Sequence, residues 1–149
     1  MDNRIKMKAS WGVLVVVGLA GCGGSGGAAT AFYSGQYGGT VVEGNRNQAI
    51  VTLNVGSNGT INGTCSILSG TNGAIIGRAV LTGSAVVGTG TFQVAGAYES
   101  LIPDPPGGGG SGAIGVTGSI PLKGISSGPM HVDDNGIVFH GDISQIPTL

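Results

Sequence analysis

Along most of this chain, apolar and polar residues alternate with a period of two. Ile50-Val51-Thr52-Leu53-Asn54-Val55 sets Val51, Leu53 and Val55 on one face, with Thr52 and Asn54 on the other. A three-residue loop, Ser57 to Gly59, then places Val55 opposite Ile61, Leu53 opposite Gly63 and Val51 opposite Cys65. A two-residue Asn58-Gly59 turn would oppose Val55 to Asn62 and break the pattern, so the alternation selects the longer loop. Cys65 then faces inward as a small apolar residue. Phe32 to Val42 is a first strand candidate, and Gly44 to Asn47 turn the chain after it. Further strands are expected over Ala74 to Leu81 and Thr91 to Tyr98. In the former, Ile75, Ala79 and Leu81 share a face opposite Arg78; in the latter, Phe92, Val94 and Tyr98 alternate. Ile114, Val116 and Ile120 resume the alternation, and Pro121 marks an end or an edge.

The last repeat is the sharpest. Asn135-Gly136 between alternating runs predicts a two-residue hairpin turn. It pairs Asp134 with Ile137, Asp133 with Val138, Val132 with Phe139 and His131 with His140. One face holds Met130, Val132, Ile137 and Phe139, and the other holds His131, His140, Asp133 and Asp142. A four-residue loop would keep the faces but separate the histidines. Between the strands, Pro103 to Gly112 combines prolines that cannot donate to a ladder with glycines that are costly to order, and it predicts a long surface loop. The expected fold is therefore all-β. It is one small antiparallel domain over 32–149, of about seven to nine short strands, built as an up-and-down barrel or a two-layer sandwich.

Composition narrows the chemistry. Charged residues are only 9% of the chain, and glycine supplies 32 of its 149 residues. Downstream of residue 21 the cations are Arg46, Arg78 and Lys123, against Glu43, Glu99, Asp104, Asp133, Asp134 and Asp142. So few cations argue against a nucleic-acid partner, whose phosphates are bound mainly by Lys and Arg. No His-Glu-x-x-His and no phosphate-cradling loop before a helix is present, and no serine stands in a fixed relation to His and Asp, so neither enzyme chemistry nor a cofactor is implied. The candidate site is the opposed pair His131 and His140, with Cβ atoms about 4.5–5.5 Å apart if the hairpin register holds. Imidazoles with carboxylates nearby are ligand types for zinc or another divalent ion, although two ligands rarely hold zinc.

The N-terminus carries an address. Arg4, Lys6 and Lys8 precede the apolar run Trp11 to Ala20, which is the layout of a signal peptide with a short leader helix. About ten helical residues rise only ~15 Å, half of a bilayer's hydrocarbon core, which argues against a permanent span. Leu19-Ala20-Gly21-Cys22 ends the run. This stretch resembles the lipobox of bacterial lipoproteins. The resemblance implies that residues 1–21 are removed and that Cys22 is lipidated and becomes the first residue, joining the protein to the membrane. Gly23, rather than an aspartate, follows the cysteine. In a Gram-negative host the resemblance implies sorting to the outer membrane; a Gram-positive host has one membrane to offer. Residues 22–31, which after Cys22 are glycine, serine, alanine and threonine, are expected to be a flexible tether.

Gly35-Gln36-Tyr37 resembles the Gly-x-Trp opening of lipocalin- and avidin-type barrels over three residues, with tyrosine in place of the tryptophan. That resemblance implies a barrel interior able to hold a small apolar ligand. Two functions compete on this sequence. One is a lipid-anchored, non-enzymatic envelope domain for structure or contact with an envelope protein. The other is a carrier of a small apolar ligand, for which the small inward residues Gly63, Cys65 and Ala79 leave room.

Overall fold

A computed structural model describes residues 30–44, 46–102 and 111–148. Eight antiparallel strands follow one another as a meander: β1 (Gly35–Val42), β2 (Gln48–Val55), β3 (Thr60–Leu68), β4 (Ile75–Ala85), β5 (Thr91–Ser100), β6 (Gly112–Ser119), β7 (Ser127–Asp134) and β8 (Ile137–Gln145). β8 returns to pair with β1, Tyr37 opposite Gln145 and Val42 opposite His140, and closes an up-and-down barrel. The sandwich alternative is thereby removed. Closure leaves no open edge for another chain to pair with.

The alternation fixes which face turns inward. Val51, Leu53 and Val55 pair with Cys65, Gly63 and Ile61, and the large members of this set are buried. Gly59, at a φ of 83°, makes the left-handed step that this register needs. The core runs from Tyr37 and Val41 around the barrel to Phe139 and Ile143, and among the described residues no polar or charged residue is buried with it. The outer wall is the reverse. Thr52 faces Thr64, Asn54 faces Asn62, and Gln93 faces Thr117 across their strands. Barrels that span bilayers present apolar side chains to lipid; this wall presents mostly threonine, serine, asparagine and glutamine, with Val42, Ile50, Val80 and Val138 set among them.

Glycine lets so small a barrel close. Seven of the eight strands carry an inward glycine over which a carbonyl of the adjacent strand lies where a Cβ would stand: Gly39, Gly63, Gly83, Gly96, Gly118, Gly128 and Gly141. Each has a larger apolar residue directly across from it, as Leu53 is to Gly63 and both Phe92 and Met130 are to Gly118. Those side chains fold over the gap. Leu53 Cδ2 would lie 2.6 Å from a Cβ at Gly63, and Phe92 Cε1 2.9 Å from one at Gly118. The room expected at Gly63 is thus already filled.

The two ends differ. At one, the turns 56–59 and 86–90 and the loop 120–126 meet the segment that leads into β1. Phe32 is fully buried there beside Ile120 and bridges to Leu122. Ala31 donates to the carbonyl of Val87 and accepts from the Lys123 amide. The tether expected through residue 31 therefore ends earlier, because Ala31 is already bonded to the barrel. At the other end lie the turns 43–47, 69–74 and 135–136, and the loop between β5 and β6.

Four further expectations need correction. The first strand starts at Gly35, because Phe32 to Ser34 cross the barrel end. The loop expected through Gly112 stops at Ser111, since Gly112 opens β6 opposite Tyr98; residues 103–110 lie outside the described residues. A bulge shifts the β3–β4 register between Ile67 and Leu68, so Ile76 packs on the core while Ile75 is exposed. Ile137 is also exposed, because its partner Asp134 is the last residue of β7 at the barrel rim.

Packing makes a paired prediction. A methyl at Gly39 would overlap the Asp142 carbonyl and press on Met130, so Gly39→Ala is expected to cost about 1–3 kcal/mol. Gly115 faces outward with nothing within 4 Å of an added Cβ, so Gly115→Ala is expected to gain ~0.4–1 kcal/mol by restricting the unfolded chain. Urea denaturation of the two variants checks both signs.

Candidate functional site

The β7–β8 hairpin builds the histidine pair. Asn135 at φ 52° and Gly136 at φ 92° form the two-residue turn, and Asp133 Oδ1 accepts from the Gly136 amide at 2.8 Å. The resulting register sets His131 opposite His140. Their Nδ1 atoms are 2.7 Å apart and the rings meet edge to face, with centroids at 4.8 Å. One Nδ1–H donates and the other Nδ1 accepts, so the two imidazoles are held as complementary tautomers. Both are exposed on the outer wall, flanked by Thr117 on β6 and Val42 on β1.

As a metal site the pair is incomplete. Two nitrogens on one tetrahedral zinc, each at about 2.0–2.1 Å, would stand roughly 3.3 Å apart. The observed spacing is a hydrogen bond, and the rings would have to part to admit an ion. Asp133 and Asp142 share the outward face, yet no group of three or more metal-ligating side chains forms among the described residues. Cys22, the expected lipidation residue, lies outside the described residues.

A second titratable group stands at the same end of the hairpin. Asp134 faces inward at the rim and is half-buried. Desolvation first, and the adjacent Asp133 carboxylate second, hold its pKa above the ordinary carboxylate value. Burial pushes the Cys65 thiol up to about 12, with Asp134 adding to the effect. Cys65 is therefore a protonated core residue rather than a nucleophile. Tyr37, buried at the start of β1, donates its hydroxyl to the carbonyl of Tyr33 at 2.6 Å. The hairpin register puts Asp134 opposite Ile137 on the inward face, but how far it is desolvated depends on β6, whose Ile114 pairs with it.

Two open depressions lie on the barrel exterior. One, of about 600 Å³, runs over β3 to β5 between Thr64, Arg78, Val80 and Glu99. The other, of about 520 Å³, lies between Asn54, Asn62 and Gln145. Both are lined chiefly by outward side chains. No family model matches the chain, and no curated protein or solved structure matches it significantly.

The Asp134 environment yields a pH prediction. Its folded pKa is raised, so the folded state binds this proton more readily than the unfolded state does. The associated stability is complete below the ordinary carboxylate value and is lost as pH rises through the folded pKa. Asp134→Asn is expected to be more stable than the parent at pH 7 and to lose that advantage near pH ~3. Denaturation midpoints at the two pH values measure it; an equal difference at both would show that the charge is not the cause.

Proposed function

We propose that this protein is a lipid-anchored bacterial envelope lipoprotein whose barrel serves a structural or protein-contact role without catalysis. The observation that carries the reading is the Leu19-Ala20-Gly21-Cys22 stretch, placed eight chain steps before Thr30, where the described barrel domain begins. The signal segment supplies export, and acyl chains on Cys22 supply attachment. Two or more such chains hold a protein on a membrane stably, where one does so only marginally. In a Gram-negative envelope, Gly23 after the cysteine sends the protein to the outer membrane.

The barrel suits such a role. Its polar wall can stand in water, its glycine-rich turns are short, and its side chains occupy the interior. The depression over β3 to β5 offers Arg78 and Glu99 to an envelope protein partner. A second reading, carriage of a small apolar ligand, draws support from the eight-stranded topology, since barrels of this strand number include ligand carriers as well as filled ones. The residues folded over Gly63 and Gly118 weigh against it.

Full-length protein expressed in a bacterial host tests the anchor. The N-terminal peptide is expected to begin at Cys22 and to carry diacylglyceryl mass, with the protein in the membrane fraction. Cys22→Ala should leave an unlipidated chain that is lost from that fraction. A parent protein with an unmodified cysteine refutes the reading.

A further inference from the structure

We infer that the end of the barrel where the chain enters β1 is a membrane-docking face, resting on the phospholipid surface that holds the anchor. The inference rests on lipidation at Cys22, and extends it from an attachment point to an orientation.

Three strands of observation meet at this end. The first is exposed apolar surface gathered at this end. Ile125 is 60% exposed, Val86 58%, Tyr33 52% and Leu122 40%. They are neighbours through the backbone. Ala31 bonds to Val87, Phe32 bridges to Leu122, and the Ile125 amide donates to the Leu122 carbonyl. Val80, the most exposed large apolar residue, lies apart from them on the wall among Thr64, Thr82 and other polar side chains; exposed apolar residues gathered together mark interaction sites more than single ones do.

The second is charge. Among the described residues of the loops at this end, Lys123 is the one charged side chain, and its Nζ lies 5.4 Å from the centre of the Tyr33 ring. A lysine beside a tyrosine fits the boundary between headgroups and acyl chains, where the ring buries its body and the ammonium reaches phosphate. The opposite end also exposes apolar residues, Ile75, Leu101, Ile102 and Ile137. There, however, they stand among Glu43, Glu99, Asp133 and Asp134, which outnumber Arg46 and Arg78 at that end and leave it net negative, where Lys123 leaves the chain's starting end net positive. The barrel is thus polarised along its axis: of the carboxylates among the described residues, Glu43, Glu99, Asp133 and Asp134 lie toward the far end, and Asp142 lies on the wall.

The third is reach. Eight chain steps from Cys22 to Thr30 extend at most ~28 Å. An acylated cysteine lies at the membrane surface, so the end to which Ala31 is bonded stays within that distance of the headgroups. A weak apolar and cationic contact then acts as the second membrane signal beside the acyl chains.

Tryptophan reports this contact cleanly, because the chain's single tryptophan, Trp11, lies in the segment removed before Cys22. Ile125→Trp and Val86→Trp place reporters on the face. Ile137→Trp places one on the opposite end, and Val80→Trp one on the wall. Each full chain is expressed in a bacterial host and purified from its membranes. It is then reconstituted in phosphatidylethanolamine–phosphatidylglycerol vesicles carrying acyl-brominated lipid. Emission from the first two variants should shift to shorter wavelength and be quenched; emission from the other two should be unchanged. Equal quenching in all four, quenching confined to Ile137→Trp or Val80→Trp, or no quenching of vesicle-bound protein overturns the docking face. The mass of the N-terminal peptide reads the anchor separately. An acylated peptide without quenching leaves the anchor standing and removes the face, with an envelope protein as its remaining occupant. An unacylated peptide removes both.

Discussion

The close approach of neighbouring strands over inward glycines is the constraint on which this structure depends. Eight strands curl tightly enough to bring a carbonyl of the next strand onto the Cα of Gly39, Gly63, Gly83, Gly96, Gly118, Gly128 and Gly141. A Cβ at any of these points would push the strands apart and flatten the sheet. Glycine thus sets the curvature, and the curvature sets the narrow interior. Because each of these glycines faces a larger residue, the same positions also make room for Leu53, Phe92 and Met130 to cross the barrel. A composition that could suggest disorder is, in this pattern, a condition for close packing.

A filled and closed barrel has little left to change shape with, and its functional features lie on its outside and its ends. The wall holds hydrogen-bonding side chains in cross-strand rows, and the histidine pair satisfies itself within that wall. The ends carry the asymmetry: Phe32 and Ala31 tie the incoming chain to one, while the half-buried Asp134 sits at the rim of the other. An anchored protein needs such a difference, since one end is always nearer the membrane.

Much of this was legible in local sequence. The Val51-Leu53-Val55 and Ile61-Gly63-Cys65 runs fixed both the turn length and the register, and Asn135-Gly136 fixed the His131–His140 pairing, because a period of two tolerates no slip. What sequence did not show was non-local. Nothing local in Tyr37 or Gln145 announces that β1 and β8 pair, so barrel and sandwich stayed equivalent. The bulge that exposes Ile75 and turns Ile76 inward needs the partner strand to be seen. Phe32 reads as a strand residue until the barrel end it covers is known. Gly59 and Gly136 read as turn residues and Gly63 as an inward strand position that leaves room, whereas only the adjacent carbonyl reveals what the glycines within strands do. The histidine pair was found by register alone, and its hydrogen bond depends on ring orientations that register does not set.

The central claim is that the barrel's own side chains occupy its interior. Native mass spectrometry of the protein purified from its host's envelope, with mild detergent removed in the gas phase, tests it most directly. The account predicts the mass of the acylated chain alone. A stoichiometric apolar molecule that survives on the intact fold, and is lost when the fold opens, would contradict it and bring the ligand-carrier reading forward.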